Sequence, residues 1–241
     1  DLGLKGKVAL VSGASQGMGR ATALGFAREG AKVSICARGE SLLNEAAQMI
    51  RGETGGDALA TVADMTKAED IQRFVARTVE KFGRLDVVVT NAGGPPPGEF
   101  MKFTDEDWEK AFRLNLLSTI RLIREAVPHM RKVGGGRVIN ITSYAVKEPI
   151  PGLILSNAVR SGVIGLAKTL SRELAKDGIL INTVCPGRIG VPSTPVIPNS
   201  QRSRRSTHWN CRTYSCPSSS VRCSYVCVPS VSTTRSGVIS V

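Results

Sequence analysis

Short runs of apolar residues alternate along the first 190 residues with longer segments in which apolar residues recur three and four positions apart. The first run, Lys7–Ser12, ends at Gly13, and helical spacing then extends from Gly17 to Gly30. The order of these features predicts a strand, a glycine-rich turn and a helix.

The same alternation predicts further strands at Lys32–Ala37, Ala58–Val62, Asp86–Thr90, Arg137–Ile141 and Ile179–Val184. It predicts helices at Glu40–Ile50, Ala68–Phe82 and Leu155–Lys176, and one that opens at Thr104 with Asp107 three residues on. Valine- and isoleucine-rich runs between amphipathic helices are typical of parallel strands joined by crossovers. We therefore predict an α/β fold, a single-domain Rossmann-like doubly wound parallel sheet with helices on both faces, whose ligands bind beyond the carboxyl ends of the strands.

The size and composition agree with this fold. A chain of 241 residues with 41% hydrophobic residues can build one domain with a sizeable core. No apolar run reaches the roughly 18 residues that a membrane span needs, and Asp1 leads almost directly into the first predicted strand. We expect a cytoplasmic protein with no membrane partner.

The chain changes character near Gly190. Residues 191–241 contain six Arg but no Lys, Asp, Glu, Ala, Leu, Met or Phe, whereas Ser, Pro and Cys are frequent. Because good helix formers are missing and prolines recur, the composition predicts loop or disorder. Half of the net charge of +12 lies here, and the first 190 residues intersperse their charges, so we expect no nucleic-acid partner.

Three interpretations of residues 191–241 stay open: a flexible extension, a metal or disulfide module, or a recorded sequence that is an out-of-frame translation. The module would be built on Cys211, Cys216, Cys223 and Cys227, whose spacings lack the paired C-x2-C of zinc sites. The abrupt change of composition favours the out-of-frame translation. We expect no metal site in this protein.

The turn after the first predicted strand reads Ser12-Gly13-Ala14-Ser15-Gln16-Gly17-Met18-Gly19. Glycine lets the backbone approach a ligand closely, and the following helix directs free N–H groups and its positive dipole end at a phosphate. The position between strand and helix predicts a dinucleotide site made by Gly13, Ser15, Gln16, Gly17, Met18 and Gly19.

The glycine spacing G-x-x-x-G-x-G resembles that of the short-chain dehydrogenase/reductase family, with ketoacyl reductases as a similar branch. Further matches follow in the family's order, namely Asp64, Asn91-Ala92-Gly93, Asn115, Ser143 and Pro186-Gly187, and cover residues 5 to about 189. The resemblance implies that Asp64 and its neighbour Met65 meet the adenine and that Asn91, Ala92 and Gly93 line the cofactor floor. It also implies that Pro186, Gly187 and Ile189 lie beside the nicotinamide, and that the protein forms a homodimer or homotetramer.

The end of the second predicted strand, Cys36-Ala37-Arg38, indicates which cofactor is bound. No acid stands there to accept a hydrogen bond from a ribose 2′-hydroxyl, whereas Arg38 can pair with a 2′-phosphate. We therefore expect NADP rather than NAD. Cys36 and Cys185 are expected to be buried small apolar residues without a redox role.

The match fails at the catalytic pair. Members of the family typically carry Tyr-x-x-x-Lys about thirteen residues after the catalytic serine, and this chain has Ser156 and Arg160 there. The two side chains still share one helix face. A serine hydroxyl is a far weaker acid than a phenol, and Arg160 stays protonated, so it can anchor the ribose but cannot relay protons.

Four possibilities stay open for the proton of the reaction: three different donors, and a protein that carries out no reaction. Ser156 donates it, the neighbouring Tyr144 replaces it, a water held by Ser143, Ser156 and Asn115 supplies it, or the protein binds cofactor without turnover. Ser143 is expected to polarise the substrate carbonyl. We expect an NADP-dependent oxidoreductase that interconverts a carbonyl and a secondary alcohol, with a cofactor-binding regulator as the alternative.

The resemblance also assigns the two parts of the chain. Residues 1–190 are expected to form the NADP-binding oxidoreductase domain. Residues 191–241 fall where the family has its substrate lid and last strand, and Val238–Val241 would be that strand.

Overall fold

A parallel sheet forms the centre of the computed structural model, which describes residues 2–187 and the backbone of residues 213–215 and 222–228. Its spatial order begins β3-β2-β1-β4-β5-β6, so the chain winds outward in both directions from β1. The strands are β1 (Val8–Val11), β2 (Lys32–Ala37), β3 (Ala58–Val62), β4 (Val87–Thr90), β5 (Gly136–Ile141) and β6 (Ile179–Pro186). The predicted doubly wound sheet is confirmed.

Helices cover the sheet on both sides: α1 (Gly17–Arg28), α2 (Glu40–Thr54), α3 (Ala68–Phe82), α4 (Asp105–Phe112), α5 (Ser118–Lys132) and α6 (Ile154–Glu173). One core cluster joins the sheet to α1 and α2. Another joins the opposite face to α3, α5 and the carboxyl-terminal part of α6. The sheet is therefore the middle of three layers.

Strand β1 lies at the centre of the sheet and is apolar at every position. Its side chains alternate between faces, so Val8 and Leu10 enter one core while Ala9 and Val11 enter the other. All four residues are fully buried. A strand buried on both faces gives a continuous apolar run, which is the pattern that predicted it.

The prediction of loop or disorder for residues 191–241 is wrong at two places. Strand β8 (Arg222–Val228) pairs in parallel with β6, and β7 (Thr213–Ser215) pairs antiparallel with β8. Strand β8 contains valine and tyrosine, which favour strands, and its pairing with β6 decides its structure, whereas the lack of helix formers argued only against a helix. The predicted strand Val238–Val241 and the side chains of the four late cysteines lie outside the described residues.

The helix predicted to open at Thr104 contains a π-helical turn. Thr104 and Asp107 form a capping box at the start of α4. Residues Arg113–Leu117 then form a π-helical turn that leads into α5, and Asn115 lies inside it. Asn115 was predicted within a helix, but the change in helical pitch around it was not predicted.

A buried carboxylate fastens β1 to β4 at the amino ends of the strands. Asp86 accepts hydrogen bonds from the Val8 N–H at 2.9 Å and from Arg84 at 2.6 and 2.8 Å, and Lys7 lies 3.4 Å away. Burial alone would raise the pKa of Asp86, but these hydrogen bonds and positive charges outweigh it and lower the pKa below its usual value.

We expect Asp86→Asn to lower the free energy of unfolding at neutral pH by about 1–3 kcal/mol, because a charged acceptor is lost from a buried cluster. A lowered pKa stabilises the fold above the ordinary carboxylate pKa, and this contribution disappears as the pH falls through the folded-state value. The difference between wild type and variant in urea unfolding should therefore shrink in acid.

Glu53→Gln is the matched control, because Glu53 pairs with Arg28 on the exposed surface. Its effect should stay within about 0.5 kcal/mol at every pH. A cost for Asp86→Asn that does not change between neutral and acid pH would contradict the role assigned to the Asp86 charge.

Candidate functional site

A cleft of about 660 Å³ opens at the carboxyl ends of the central strands. Most of the predicted cofactor residues line it, namely Gly13, Ser15, Gln16, Gly17, Met18, Arg38, Asp64, Met65, Asn91, Ala92, Gly93, Arg160 and Gly187. Gly19 and Pro186 are buried and do not line the cleft, and Ile189 lies outside the described residues. The cleft lies where the strand order reverses, the usual position of a ligand in a doubly wound sheet.

Two glycines let the turn after β1 pack against the loop after β4. Gly13 has φ +60°, and a Cβ there would lie 2.8 Å from the Asn91 carbonyl oxygen. A Cβ on Gly19 would overlap the Gly13 carbonyl oxygen and come within 2.9 Å of the Ala14 Cα. These positions therefore exclude any side chain, whereas Gly17 is required only for its φ of +59°.

The amino terminus of α1 presents unpaired N–H groups to the cleft. Gln16 at the N-cap makes no side-chain capping bond, and the first turn contains no acidic residue. Helix α4 differs, since its capping box satisfies the N–H groups of Thr104 and Asp107. An uncapped helix start beside a glycine turn suits a bound phosphate, which would accept from those amides.

Asn91 clamps the glycine turn to β4. Its Nδ2 donates to the carbonyl oxygens of Gly13 at 3.0 Å and Ser12 at 3.3 Å. The Ser12 hydroxyl donates to the Asn91 carbonyl at 2.8 Å and accepts from the Asn91 N–H at 2.9 Å. Ser12 was not predicted as a site residue, because a buried serine at a strand end has no sequence pattern of its own.

Polar side chains surround the far end of the cleft. Arg38 is exposed and has no ion pair within residues 2–187. The Asp64 carboxylate accepts from the Thr66 N–H at 2.9 Å and from its hydroxyl at 2.8 Å, which fixes its orientation. Leu42, 49% exposed at the start of α2, also lines this end. Sequence analysis missed Leu42, because its neighbour Leu43 is the apolar residue of this turn that enters the core.

The Cys36 thiol lies beneath this end and donates to the Met65 sulfur at 3.5 Å. Burial raises the pKa of Cys36 to about 12, so the thiol stays neutral. Cys185 is also fully buried, with its sulfur 3.4 Å from the Thr142 hydroxyl oxygen, and the prediction that both cysteines are buried is confirmed. Within the described residues no group of three or more His, Cys, Asp or Glu side chains could hold a metal ion.

Arg160 closes the other end of the cleft and is 8% exposed. One terminal nitrogen donates to the Ala92 and Gly93 carbonyls at 3.2 and 3.3 Å, and the other to those of Ile141 and Thr142 at 3.5 Å. Burial lowers the pKa of Arg160, but a guanidinium remains charged. Arg160 therefore joins the loop after β4 to the end of β5 and leaves a fixed positive charge at the cleft.

The other predicted catalytic residues do not line the cleft, but Asn115 is bonded to its wall. Asn115 donates to the Gly93 carbonyl at 2.8 Å, the same oxygen that Arg160 contacts. Its Oδ1 is buried and has no partner within the described residues. The structure thus joins Asn115 and Arg160 through the backbone of Gly93.

The two serines occupy different settings. Ser143 follows β5, and its hydroxyl oxygen accepts a hydrogen bond from the Ala145 N–H at 3.2 Å. The hydrogen of this hydroxyl group remains available to donate. Ser156 is buried one helical turn before Arg160, and Tyr144 is half-buried in the 3-10 turn that Ser143 caps. Leu114 of the π-helical turn lines the cleft, and sequence analysis missed it because the turn itself was not predicted.

None of the helices within the described residues is both long enough and apolar enough to cross a membrane.

Comparison with known proteins identifies this arrangement. The profile of the short chain dehydrogenase family matches residues 7–201. The chain is 37% identical over 191 residues to the 3-oxoacyl-(acyl-carrier-protein) reductase of Synechocystis sp., and the alignment covers 79% of this chain and 77% of that protein.

Two solved structures share the fold. The L-sorbose reductase of Gluconobacter frateurii, complexed with NADPH and L-sorbose, is 35% identical with a TM-score of 0.78, over 80% of this chain and 73% of that one. A 7α-hydroxysteroid dehydrogenase complexed with NADH is 30% identical with a TM-score of 0.74, over 77% and 72% of the two chains.

The fit between Gly19 and the turn gives a stability test. Gly19→Ala should lower the free energy of unfolding by about 1–3 kcal/mol, because the new methyl group overlaps backbone that cannot move without breaking the Asn91 clamp. Gly25→Ala is the control on the same helix, since a Cβ at Gly25 meets nothing within 4 Å. It should leave stability unchanged or raise it by up to about 1 kcal/mol in urea unfolding. Equal effects of the two changes would contradict the close packing of Gly19.

Proposed function

The chain belongs to the short chain dehydrogenase family, and from that premise we propose that it binds NADP(H) in the cleft and interconverts a ketone and a secondary alcohol by hydride transfer. One observation carries the proposal: the glycine turn, which no side chain can enter, is clamped beside the uncapped amides of α1. This combination suits the diphosphate of a dinucleotide.

The choice of cofactor depends on Arg38, because the two solved relatives hold different nicotinamide nucleotides, NADPH and NADH. Arg38 is exposed at the edge of the cleft and pairs with no acid within residues 2–187. A 2′-phosphate would provide the missing negative charge through a charge-assisted hydrogen bond. We therefore assign NADP(H) to this protein.

The orientation of the cofactor follows from the chemistry of the two ends of the cleft. The adenosine half has a phosphate, a ring and polar edges, and it suits the end of the cleft that Arg38, Leu42 and Asp64 line. Arg160 and Gly93 then border the nicotinamide half. When bound, the nicotinamide supplies or accepts the hydride.

Ser143 and Arg160 would stabilise the reacting carbonyl. Ser143 has a free hydroxyl hydrogen that can donate to the carbonyl oxygen, because its oxygen already accepts from Ala145. Arg160 is buried without a carboxylate partner within residues 2–187, so its charge is little screened and favours an alkoxide nearby. Arg160 does not release a proton at neutral pH, and it acts only by charge and by position.

The proton of the reaction needs another source, and we assign it to Ser156 or to a water that Ser156 orients. Ser156 is buried in α6, and the Asn115 Oδ1 is a buried acceptor without a donor within the described residues. Both groups would be satisfied by a water molecule between the two helices. Tyr144 is the competing donor.

A cofactor-binding regulator with little turnover is the second candidate function. The observation that favours it is the pair Ser156 and Arg160, neither of which titrates near neutral pH. Turnover with a range of ketones would exclude this candidate, whereas NADPH binding without turnover would support it.

We expect Arg38→Gln to raise the Kd for NADPH about 10- to 100-fold and to leave the Kd for NADH within about twofold, because only NADPH carries the 2′-phosphate. Isothermal titration calorimetry measures both. Arg77→Gln, a change to an exposed arginine on α3, should alter neither value. Tighter binding of NADH than of NADPH to the wild type would overturn the cofactor assignment.

Turnover tests the catalytic assignments. With NADPH and a set of ketones, Ser143→Ala should lower kcat/KM at least about 100-fold, because it removes the donor to the carbonyl.

The pH profile tests the source of the proton. Because neither a serine nor an arginine titrates near neutral pH, kcat/KM of the wild type should be flat between about pH 6 and pH 9. Loss of activity in Tyr144→Phe with full activity in Ser156→Ala would show that Tyr144 is the donor instead.

A further inference from the structure

A proline-rich rim borders the cleft beside Arg160. It consists of residues 94–98, Gly-Pro-Pro-Pro-Gly, and residues 150–153, Ile-Pro-Gly-Leu. Gly94 lines the cleft, and a Cβ built on it would lie 3.9 Å from the terminal nitrogen of Arg160. At the other side, the Gly98 N–H donates to the Gly152 carbonyl at 2.7 Å, just ahead of α6. The rim thus runs from Arg160 to the helix turn that carries Ser156.

The backbone of the rim offers few hydrogen-bond donors. Four of its nine residues are prolines, which have no N–H group. The other N–H groups with a partner are those of Gly98, bonded to Gly152, of Ile150, bonded to the Asn157 side chain, and of Leu153, bonded to Ile150. A hydroxyl group that lost its water on this rim could donate to a backbone carbonyl, but its oxygen would find few donors, at a cost of about 1–3 kcal/mol.

The side chains of the rim are apolar. Residues 94–98 and 150–153 contain no ionisable, amide or hydroxyl side chain, and their surface consists of proline rings, Ile150 and Leu153. Beyond the exposed Glu99, Phe100 and Met101 are 64% and 89% exposed. The opposite end of the cleft is polar, because Arg38, Asp64 and Gln16 line it.

The rim is also fixed in position. The Phe103 ring lies against Gly98, since a Cβ on Gly98 would be 2.6 Å from the Phe103 Cζ. Phe103 in turn packs with Leu155 and Val159 of α6. A surface that is already formed loses little conformational entropy when a ligand covers it.

From these contacts we infer that the carbonyl substrate has an apolar body, an alkyl or aryl group rather than a polyhydroxylated chain, and that the rim receives it. The inference rests on the proposed function, because that proposal puts the reacting carbonyl between Ser143 and Arg160. Gly94 joins the rim to this position, since it lines the cleft next to Arg160.

Equilibrium binding tests the inference without requiring turnover. The full chain is titrated by calorimetry with straight-chain 2-alkanones from butanone to octanone and with a ketohexose. The titrations are made both on the free protein and on protein saturated with NADP+, which cannot transfer a hydride to a ketone. Each added methylene should tighten Kd about two- to fourfold, and the ketohexose should bind no more tightly than butanone.

Leu153→Asn keeps the shape of the side chain and should flatten the alkanone series while leaving the Kd for NADP+ within about twofold. Pro96→Ser, which adds an N–H donor and a hydroxyl to the rim, should also flatten the alkanone series. It tests the inference if the Leu153→Asn variant does not fold. Leu2→Asn is the control, because Leu2 is exposed and lies in the segment that precedes β1.

A flat alkanone series with the wild type, or a ketohexose that binds more tightly than octanone, would overturn the apolar substrate. Failure of the proposed function gives a different result, namely no uptake of NADP+ or NADPH in a separate titration. In that case the alkanone series on the free protein still shows whether the rim prefers apolar ligands.

Discussion

The cleft depends on the contact between Asn91 and the turn after β1. Asn91 bonds to both Ser12 and Gly13, and it can do so only because Gly13 and Gly19 leave its side chain room. This contact brings the ends of two neighbouring strands to one point, beside which the amides of α1 stay free. A larger residue at either glycine would move the turn away from β4 and with it the start of the helix.

Strands β1 and β4 are joined at both ends, by chemically different means. At the amino ends a single buried carboxylate, Asp86, gathers two cations and a backbone amide. At the carboxyl ends neutral hydroxyl, amide and carbonyl groups connect the strands. Positive charge that faces the cleft, from Arg38 and Arg160, is therefore not neutralised by the acid that stabilises the sheet. This separation lets the fold be stable while its ligand end stays electrically attractive to phosphate.

The sheet could be predicted from the sequence because strands buried on both faces are rich in apolar residues, and the glycine turn because its composition is unusual. Other features depend on contacts between distant parts of the chain. The bonds from Arg160 to the loop after β4 and the clamp made by Ser12 are of this kind. Strand β8 was missed because its residues were weighed for helix formation, whereas pairing with β6 decides its structure. The resemblance supplied the positions of Ser143 and Asn115, but not the partners that each side chain has.

The π-helical turn between α4 and α5 constrains how this region can change in evolution. Each residue of a helix rotates the next by about 100°, so the wider turn sets the phase of α5 relative to α4. With this phase Ala111 packs towards α6, while Leu122 and Ala126 pack into the core beside α3. Loss of one residue from Arg113–Leu117 would put one of these two sets of side chains into solvent, whereas exchange of one residue for another would not. The length of this stretch thus sets the phase of α5, while its composition matters at Asn115, which donates to the Gly93 carbonyl.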